Sequence, residues 1–226
     1  MAAFDASIND SVVAERLQAV HDRIARAGGS AVAVLPVTKS FGVAACWAAY
    51  HAGCTAIGEN YAQEVVAKFA GQRPPFEVHF IGQLQTNKVR MLAPIVSLFG
   101  AVDRLSQVRE LAKRVPGARV LVQVAAPGTK GKGGCPIADV PSLIELATSA
   151  RLVVEGLMAV GPIEGGPEAA RPLFRSVRAL TTQLGLATCS MGMSDDLEIA
   201  VQEGSTQVRI GTALFGERPH PETLVR

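Results

Sequence analysis

Short apolar runs recur along the chain at residues 32–39, 55–60, 77–82, 96–103, 119–126, 152–160, 187–192 and 206–211, and the stretches between them carry apolar residues at helical spacing. A run of that length, apolar on both faces, reads as a buried strand, and regular alternation with amphipathic helices predicts a parallel sheet covered on both sides. Eight such units favour an α/β fold of the (β/α)8 barrel type over a doubly wound open sheet; no GxGxxG turn follows the first run, which counts further against the open sheet. Ahead of the first strand, Ile8, Val12, Leu17, Val20 and Ile24 precede Gly28-Gly29 and predict an extra N-terminal helix. Later, Leu173, Val177, Leu180 and Leu184 form a helical stripe ending at Gly185, with Pro167 near its start. Leu197, Ala200 and Val201 form another, with Ser194 as the expected N-cap and Gly204 as the stop.

A length of 226 residues suits one barrel, so residues 1–226 are expected to form a single domain. With 48% hydrophobic and 19% charged residues and a mean hydropathy of +0.25, the chain is expected to be compact throughout. The net charge of +2 is spread over 22 basic and 20 acidic side chains, and this scatter argues against a nucleic-acid partner. The first ten residues carry Asp5 and Asp10 without a basic segment, unlike a secretory signal, and no apolar run reaches the ~18 residues of a membrane span. A soluble cytoplasmic protein is expected. Cys46, Cys54, Cys135 and Cys189 form no CxxC pair and predict reduced thiols rather than a metal site or a disulfide framework.

In such a barrel the functional site forms at the C-terminal ends of the strands. The predicted ends are polar: Lys39, Glu59-Asn60-Tyr61, Gly82-Gln83 with Gln85 and Asn87, Asp103-Arg104, Met158, Ser190 to Ser194, and Arg209 to Thr212. Lys39 ends an apolar run, where surrounding apolar walls would favour the neutral amine, a nucleophile toward an aldehyde such as that of pyridoxal 5′-phosphate. A strand-end lysine that reaches into solvent is the plainer alternative. Ser190-Met191-Gly192-Met193-Ser194 follows the seventh strand and Gly211-Thr212 the eighth, the loops where this fold commonly holds a phosphate. Ordinary loops, with Ser194 merely a helix cap, are the alternative. Asp195 and Asp196 would repel a phosphate and are expected to point away from it. Arg209 shares strand parity with Gln207 and Gly211, so it faces either the cofactor's phosphate or pyridine nitrogen, or a salt bridge on the rim. His79 reads as a core histidine, and the glycine-rich stretch 128–134 lacks the GxxxxGK[ST] spacing of a nucleotide loop, reading as a mobile basic loop near the mouth.

Several segments carry a resemblance that covers nearly the whole chain: Val37-Thr38-Lys39, Gly58-Glu59-Asn60-Tyr61, residues 79–88, Gly156-Leu157-Met158, residues 190–196 and Val208-Arg209-Ile210-Gly211-Thr212. In these the sequence resembles the YggS/PROSC family of pyridoxal phosphate homeostasis proteins, which share the barrel of the alanine racemase N-terminal domain. The resemblance implies that Lys39 forms the internal aldimine, that Ser190, Gly192, Arg209, Gly211 and Thr212 surround the phosphate, and that Asn60 and Met158 lie near the ring. Lys132 looks like a second family lysine that helps hand the cofactor over, although Lys130 lies in the same loop. Gly42 stands where a proline is common, which should loosen the loop after the lysine.

A racemase built on this barrel needs a second base across the cofactor from the lysine. In the related racemases a tyrosine from a C-terminal β domain supplies it, whereas this sequence has only Tyr50 and Tyr61 and ends soon after the eighth strand. The expected role is therefore a monomeric carrier that stores, buffers or delivers pyridoxal phosphate to apo-enzymes, without substantial turnover. A weakly active racemase and a scaffold with no cofactor are the competing readings.

Overall fold

The computed structural model describes residues 8–126, 133–162 and 164–217. Strands β1 (Ala33–Pro36), β2 (Ala56–Glu59), β3 (Glu77–Phe80), β4 (Leu98–Val102), β5 (Arg119–Val124), β6 (Val153–Ala159), β7 (Thr188–Ser190) and β8 (Gln207–Ile210) coincide with the eight apolar runs. They form one parallel sheet in the order β1-β8-β7-β6-β5-β4-β3-β2. A parallel bridge between Val37 and Gly58, with the Thr38 N–H donating to the Gly58 carbonyl at 3.0 Å, brings β1 to β2 and closes the barrel.

Alternation along the strands then sorts side chains into two layers. Val78, Phe80, Val120, Val122, Leu157, Ala159, Val208 and Ile210 belong to the large core beneath the helices. Leu98, Ala101, Leu121 and Met158, with Ile81 against them, form a separate small cluster that fills the barrel interior. Leu98 and Ala101, on the same side despite their odd spacing, are explained by the register shift between Phe99 and Val102.

Helix α1 (Asp10–Arg26) buries Val13, Leu17, Val20 and Ile24, a spacing of four, three and four. The expected stripe therefore needs a correction: Val12 is 37% exposed and Val13 takes its place, one residue being about 100° around the helix. The α1 helix begins at Asn9, whose side chain accepts from the Ser11 N–H at 2.9 Å. It docks on the late part of the barrel through Arg16, which donates to the Leu214 carbonyl, and through Arg23, which forms a bidentate pair with Glu198 and also donates to the Ser194 carbonyl.

Two other expectations concern helix ends. A 3-10 turn at Pro167–Ala170 leads into α7 (Arg171–Gln183), with Gly185 past its end at φ +65°, as the Pro and Gly positions predict. Ser194, in contrast, does not cap α8 (Leu197–Gln202): Asp196 occupies the cap position, and the Ser194 hydroxyl instead accepts a 3.4 Å bond from the Ala213 N–H. The helix starts later than the pattern suggests because residues 194–196 form a turn first.

His79 is a core histidine, buried at 6% exposure, with Nε2 against Glu77 at 2.8 Å and Nδ1 unpartnered among the described residues. Glu77 also pairs with Arg119, which binds Glu155. Burial pushes the His79 imidazole below its ordinary range, and Glu77 pulls the other way. A ring kept neutral by folding binds fewer protons than the unfolded chain's histidine, so its cost is absent well above the unfolded value of about 6.5 and grows as pH falls through it. His79→Gln should flatten the decline in melting temperature between about pH 7 and pH 5. An unchanged slope in a melting series would refute the assignment.

Candidate functional site

The chain leaves β1 through a turn at Thr38, Lys39 and Ser40, which places Lys39 just beyond the barrel's C-terminal rim, half-buried. Ser40 has a left-handed φ of +67°, uncommon for a residue with a side chain. The turn is held from outside the barrel by helix α3 (Ala62–Phe69). Lys68 Nζ donates to the Thr38 carbonyl at 2.8 Å and to Glu59 Oε1 at 2.6 Å, and the Thr38 hydroxyl donates to the same Glu59 oxygen at 2.5 Å. Glu64 accepts the Ser40 N–H at 2.8 Å and lies 3.6 Å from Lys68. Neither Glu64 nor Lys68 was visible as a site residue in the sequence. Their four-residue spacing reads as an ordinary surface pair, and only the packing of α3 over β2 and the turn after β1 reveals the target. After the turn, Gly42 begins helix α2 (Val43–His51) at φ −72°, a value that proline also adopts, and its carbonyl accepts from the Ala45 N–H.

The neighbouring strand on one side, β8, ends at Ile210 and passes through Gly211 into the short helix α9 (Thr212–Phe215). Gly211 sits against the Val37 carbonyl; a Cβ there would lie 3.2 Å from that oxygen. The next strand, β7, ends at Ser190, and its loop is laced to β8: Met191 N–H donates to the Gln207 carbonyl and Arg209 N–H to the Gly192 carbonyl. Gly192 has φ +95°, and a Cβ there would approach the Ala200 Cβ to 2.4 Å, so the loop requires glycine. With the Ser194–Ala213 bond, residues 190–194 and 211–213 form one continuous surface beside Lys39. Within α9 the N–H groups of Leu214 and Phe215 both donate to the Gly211 carbonyl, which fixes the turn at this surface.

Arg209 is buried at 4% exposure. Nη1 donates to the Ser190 carbonyl at 2.6 Å and hydroxyl at 2.9 Å, and Nη2 to the Ala159 carbonyl at 2.7 Å. The rim salt bridge is thereby excluded: the guanidinium points inward, tying the ends of β6, β7 and β8 beneath the loops. Burial lowers its pKa to about 10, opposed by the nearby Asp196 carboxylate, which leaves it charged at neutral pH. The two aspartates part ways. Asp195 is exposed, as expected, but Asp196 is buried and turns back into its own loop to accept the Met193 N–H at 2.6 Å. Burial raises the Asp196 pKa.

On the other side of Lys39, β2 ends at Glu59 and presents Asn60, whose Oδ1 is buried without a partner among the described residues. Gly82 packs so closely that a Cβ would meet the Asn60 carbonyl at 2.0 Å. Asn60 and Tyr61 also line a cavity of about 320 Å3 with Gln63, Gln83, Gln85 and Lys88. Met158 lies deeper than the others, in the interior cluster under the mouth. Lys130 and Lys132 lie outside the described residues; just after them, the Gly134 N–H donates to Asp103 Oδ2 at 2.8 Å. All four cysteines are free thiols, and burial raises the pKa of Cys46, Cys54 and Cys135 to about 11. No cluster suited to a metal ion occurs among the described residues.

A lysine in the turn after β1 thus stands at the same end of the barrel as the buried, unpartnered amide oxygen of Asn60 after β2 and the glycine-bearing loops after β7 and β8. The sequence model of the alanine racemase N-terminal domain family matches residues 8–219. Curated relatives include the pyridoxal phosphate homeostasis protein of Pseudomonas aeruginosa, 39% identical over 93% of this chain and 97% of its own, and that of Aquifex aeolicus, 37% identical over 93% and 97%. Among solved structures, PipY of Synechococcus elongatus PCC7942 with PLP bound has a TM-score of 0.78 at 29% identity, covering 90% of this chain and all of its own. The chain belongs to the family of pyridoxal phosphate homeostasis proteins, built on the alanine racemase N-terminal barrel. A lysine decarboxylase from Selenomonas ruminantium shares the fold alone, at 16% identity and a TM-score of 0.68.

Proposed function

We propose that this chain binds pyridoxal 5′-phosphate covalently at Lys39 and serves to store, buffer or deliver the cofactor to apo-enzymes. The observation that carries the reading is the convergence at one mouth of the Lys39 turn with the loops of the two strands that follow it around the barrel, β8 and β7. When bound, the cofactor supplies an aldehyde that condenses with an amine with loss of water and is freed again by water or by a second amine. The chain's own residues would do the rest. Gly192, Ser194, Gly211 and Thr212 offer backbone and hydroxyl groups to the phosphate, and Ser190 and Arg209 hold those loops in place. Asn60 offers its unpartnered Oδ1 to a donor on the ring side. Met158 supports the interior floor.

A carrier is favoured over a racemase by the position of the tyrosines. Tyr50 packs against Trp47 and Phe76, and Phe76 immediately precedes β3 at the opposite end of the barrel from Lys39. Tyr61 is 50% exposed and lines the outer cavity beside Asn60. His79 is engaged by Glu77 within the barrel. None of these side chains stands across the mouth from the lysine as a second base. Incubation with L-alanine or L-serine is expected to produce the D-isomer at rates far below ~1 per second, and turnover at that level would overturn the carrier reading. Borohydride reduction followed by peptide mapping should fix the cofactor on Lys39; an adduct on another lysine would overturn the site, and a protein that takes up no cofactor would leave only the scaffold.

A further inference from the structure

We propose that Lys68, Glu59 and Glu64 form a positioning unit for Lys39, clamping both peptide groups that flank it so that its amine is oriented toward the aldehyde. The inference rests on the reading that Lys39 holds the cofactor. The Thr38 carbonyl belongs to the peptide entering Lys39 and the Ser40 N–H to the peptide leaving it, and α3 holds both, through Lys68 at 2.8 Å and Glu64 at 2.8 Å. Because each peptide is planar, fixing these two groups fixes the two backbone dihedrals of Lys39 and with them the direction of its Cα–Cβ bond, from which the amine extends.

The composition of the clamp favours this role over simple packing. Glu59 is fully buried and Lys68 only 7% exposed in its side chain, and one Glu59 oxygen has no partner among the described residues. Burying an ion pair gains little stability over an apolar pair of the same volume, so stability alone does not account for it. Geometry does. The Lys68 ammonium, with three donors on one atom, joins the Thr38 carbonyl, Glu59 and Glu64 at once, which an apolar side chain there could not do, and Glu59 in turn holds the Thr38 hydroxyl. Ser40's left-handed backbone is strained for a residue with a side chain and persists where a bond such as that of its N–H to Glu64 over-determines it. Strain retained next to the reactive lysine is what a site that needs one fixed amine direction requires.

The test uses the full chain and two ligands, pyridoxal 5′-phosphate and its alcohol analogue pyridoxine 5′-phosphate, which has the phosphate and ring but no aldehyde to react. Glu64→Ala removes the Ser40 acceptor without stranding a buried charge. It should weaken pyridoxal phosphate binding at least about tenfold, ~1.4 kcal/mol, leave the analogue's affinity within about twofold, and be rescued by Glu64→Gln, which keeps an acceptor oxygen. The double variant Glu59→Gln/Lys68→Met, neutral at both buried positions, should show the same selective loss. The proposal is overturned if either set binds the aldehyde as tightly as the parent chain, or if both ligands weaken together with the cofactor-free melting temperature, which is the mark of structural support alone. Absence of any Lys39 adduct in the parent chain would instead defeat the underlying reading of the site.

Discussion

Lys39→Ala is expected to yield a colourless protein that traps no cofactor on borohydride reduction and gains no stability from added pyridoxal phosphate. The parent chain at a ligand concentration of 100 Kd should gain about 2.7 kcal/mol, which for a domain of this size raises the melting temperature by about 5–10 °C. The variant loses the bond that anchors the aldehyde and keeps only the loops after β7 and β8, so its affinity should fall by more than about 100-fold, ~2.7 kcal/mol. Lys39 lies half-buried in a turn outside the strand ladder, and the clamp on that turn uses the backbone of Thr38 and Ser40 rather than the lysine side chain. The cofactor-free variant should therefore melt near the parent, with a change of at most about 1 kcal/mol. Differential scanning fluorimetry with and without ligand separates the two effects; a variant that still shows the full ligand-induced shift would mean the lysine is not the anchor.

The strands of this barrel were legible in the sequence for a physical reason. A strand covered by helices must be apolar on its outer face, and in β1 and β4 the inner face is apolar too, so short apolar-rich runs mark the eight strands even where polar residues such as His79 and Arg209 interrupt them. The same logic put the Arg209 side chain on the face opposite Val208 and Ile210, although the carbonyls of Ser190 and Ala159 that it binds there were not among the partners expected for it. The limits were equally physical. Apolar runs continue a few residues beyond hydrogen-bonded pairing, so the strand ends, where the chemistry gathers, were drawn too late; Lys39 belongs to a turn and not to β1. Which of two adjacent valines a helix buries depends on its docking angle, which is why Val13 displaced Val12. Asp196 looked like a surface charge in a first helical turn, yet the loop needed an acceptor for the Met193 N–H and took it. The clamp on Lys39 joins residues 38 and 40 to residues 59, 64 and 68, and a tertiary cluster of that kind leaves no periodic trace.

Arg209→Ala should be the most destabilising single change at the site. The buried guanidinium satisfies the carbonyls of Ala159 and Ser190 and the Ser190 hydroxyl, holding the ends of three consecutive strands at one point. Its removal leaves those acceptors unpaired, each costing about 1–3 kcal/mol, and opens a cavity; a net loss of about 3–5 kcal/mol is expected. In a domain of this size that lowers the melting temperature by roughly 6–20 °C. Asp196, close enough for its charge to support the guanidinium, loses that support as well, so acid-sensitive unfolding should shift in the variant. Arg209→Lys keeps a charge but has no planar fork to reach both carbonyls, and should recover only part of the stability. Cofactor binding should fall in both variants by more than the melting shift explains, because Gly192 and Gly211 lie in the loops that Arg209 ties down and that are proposed to hold the phosphate. Denaturant unfolding alongside a pyridoxal phosphate titration checks both parts, and an Arg209→Lys variant that folds and binds like the parent would show that the charge, and not the three-strand tie, is what the site requires.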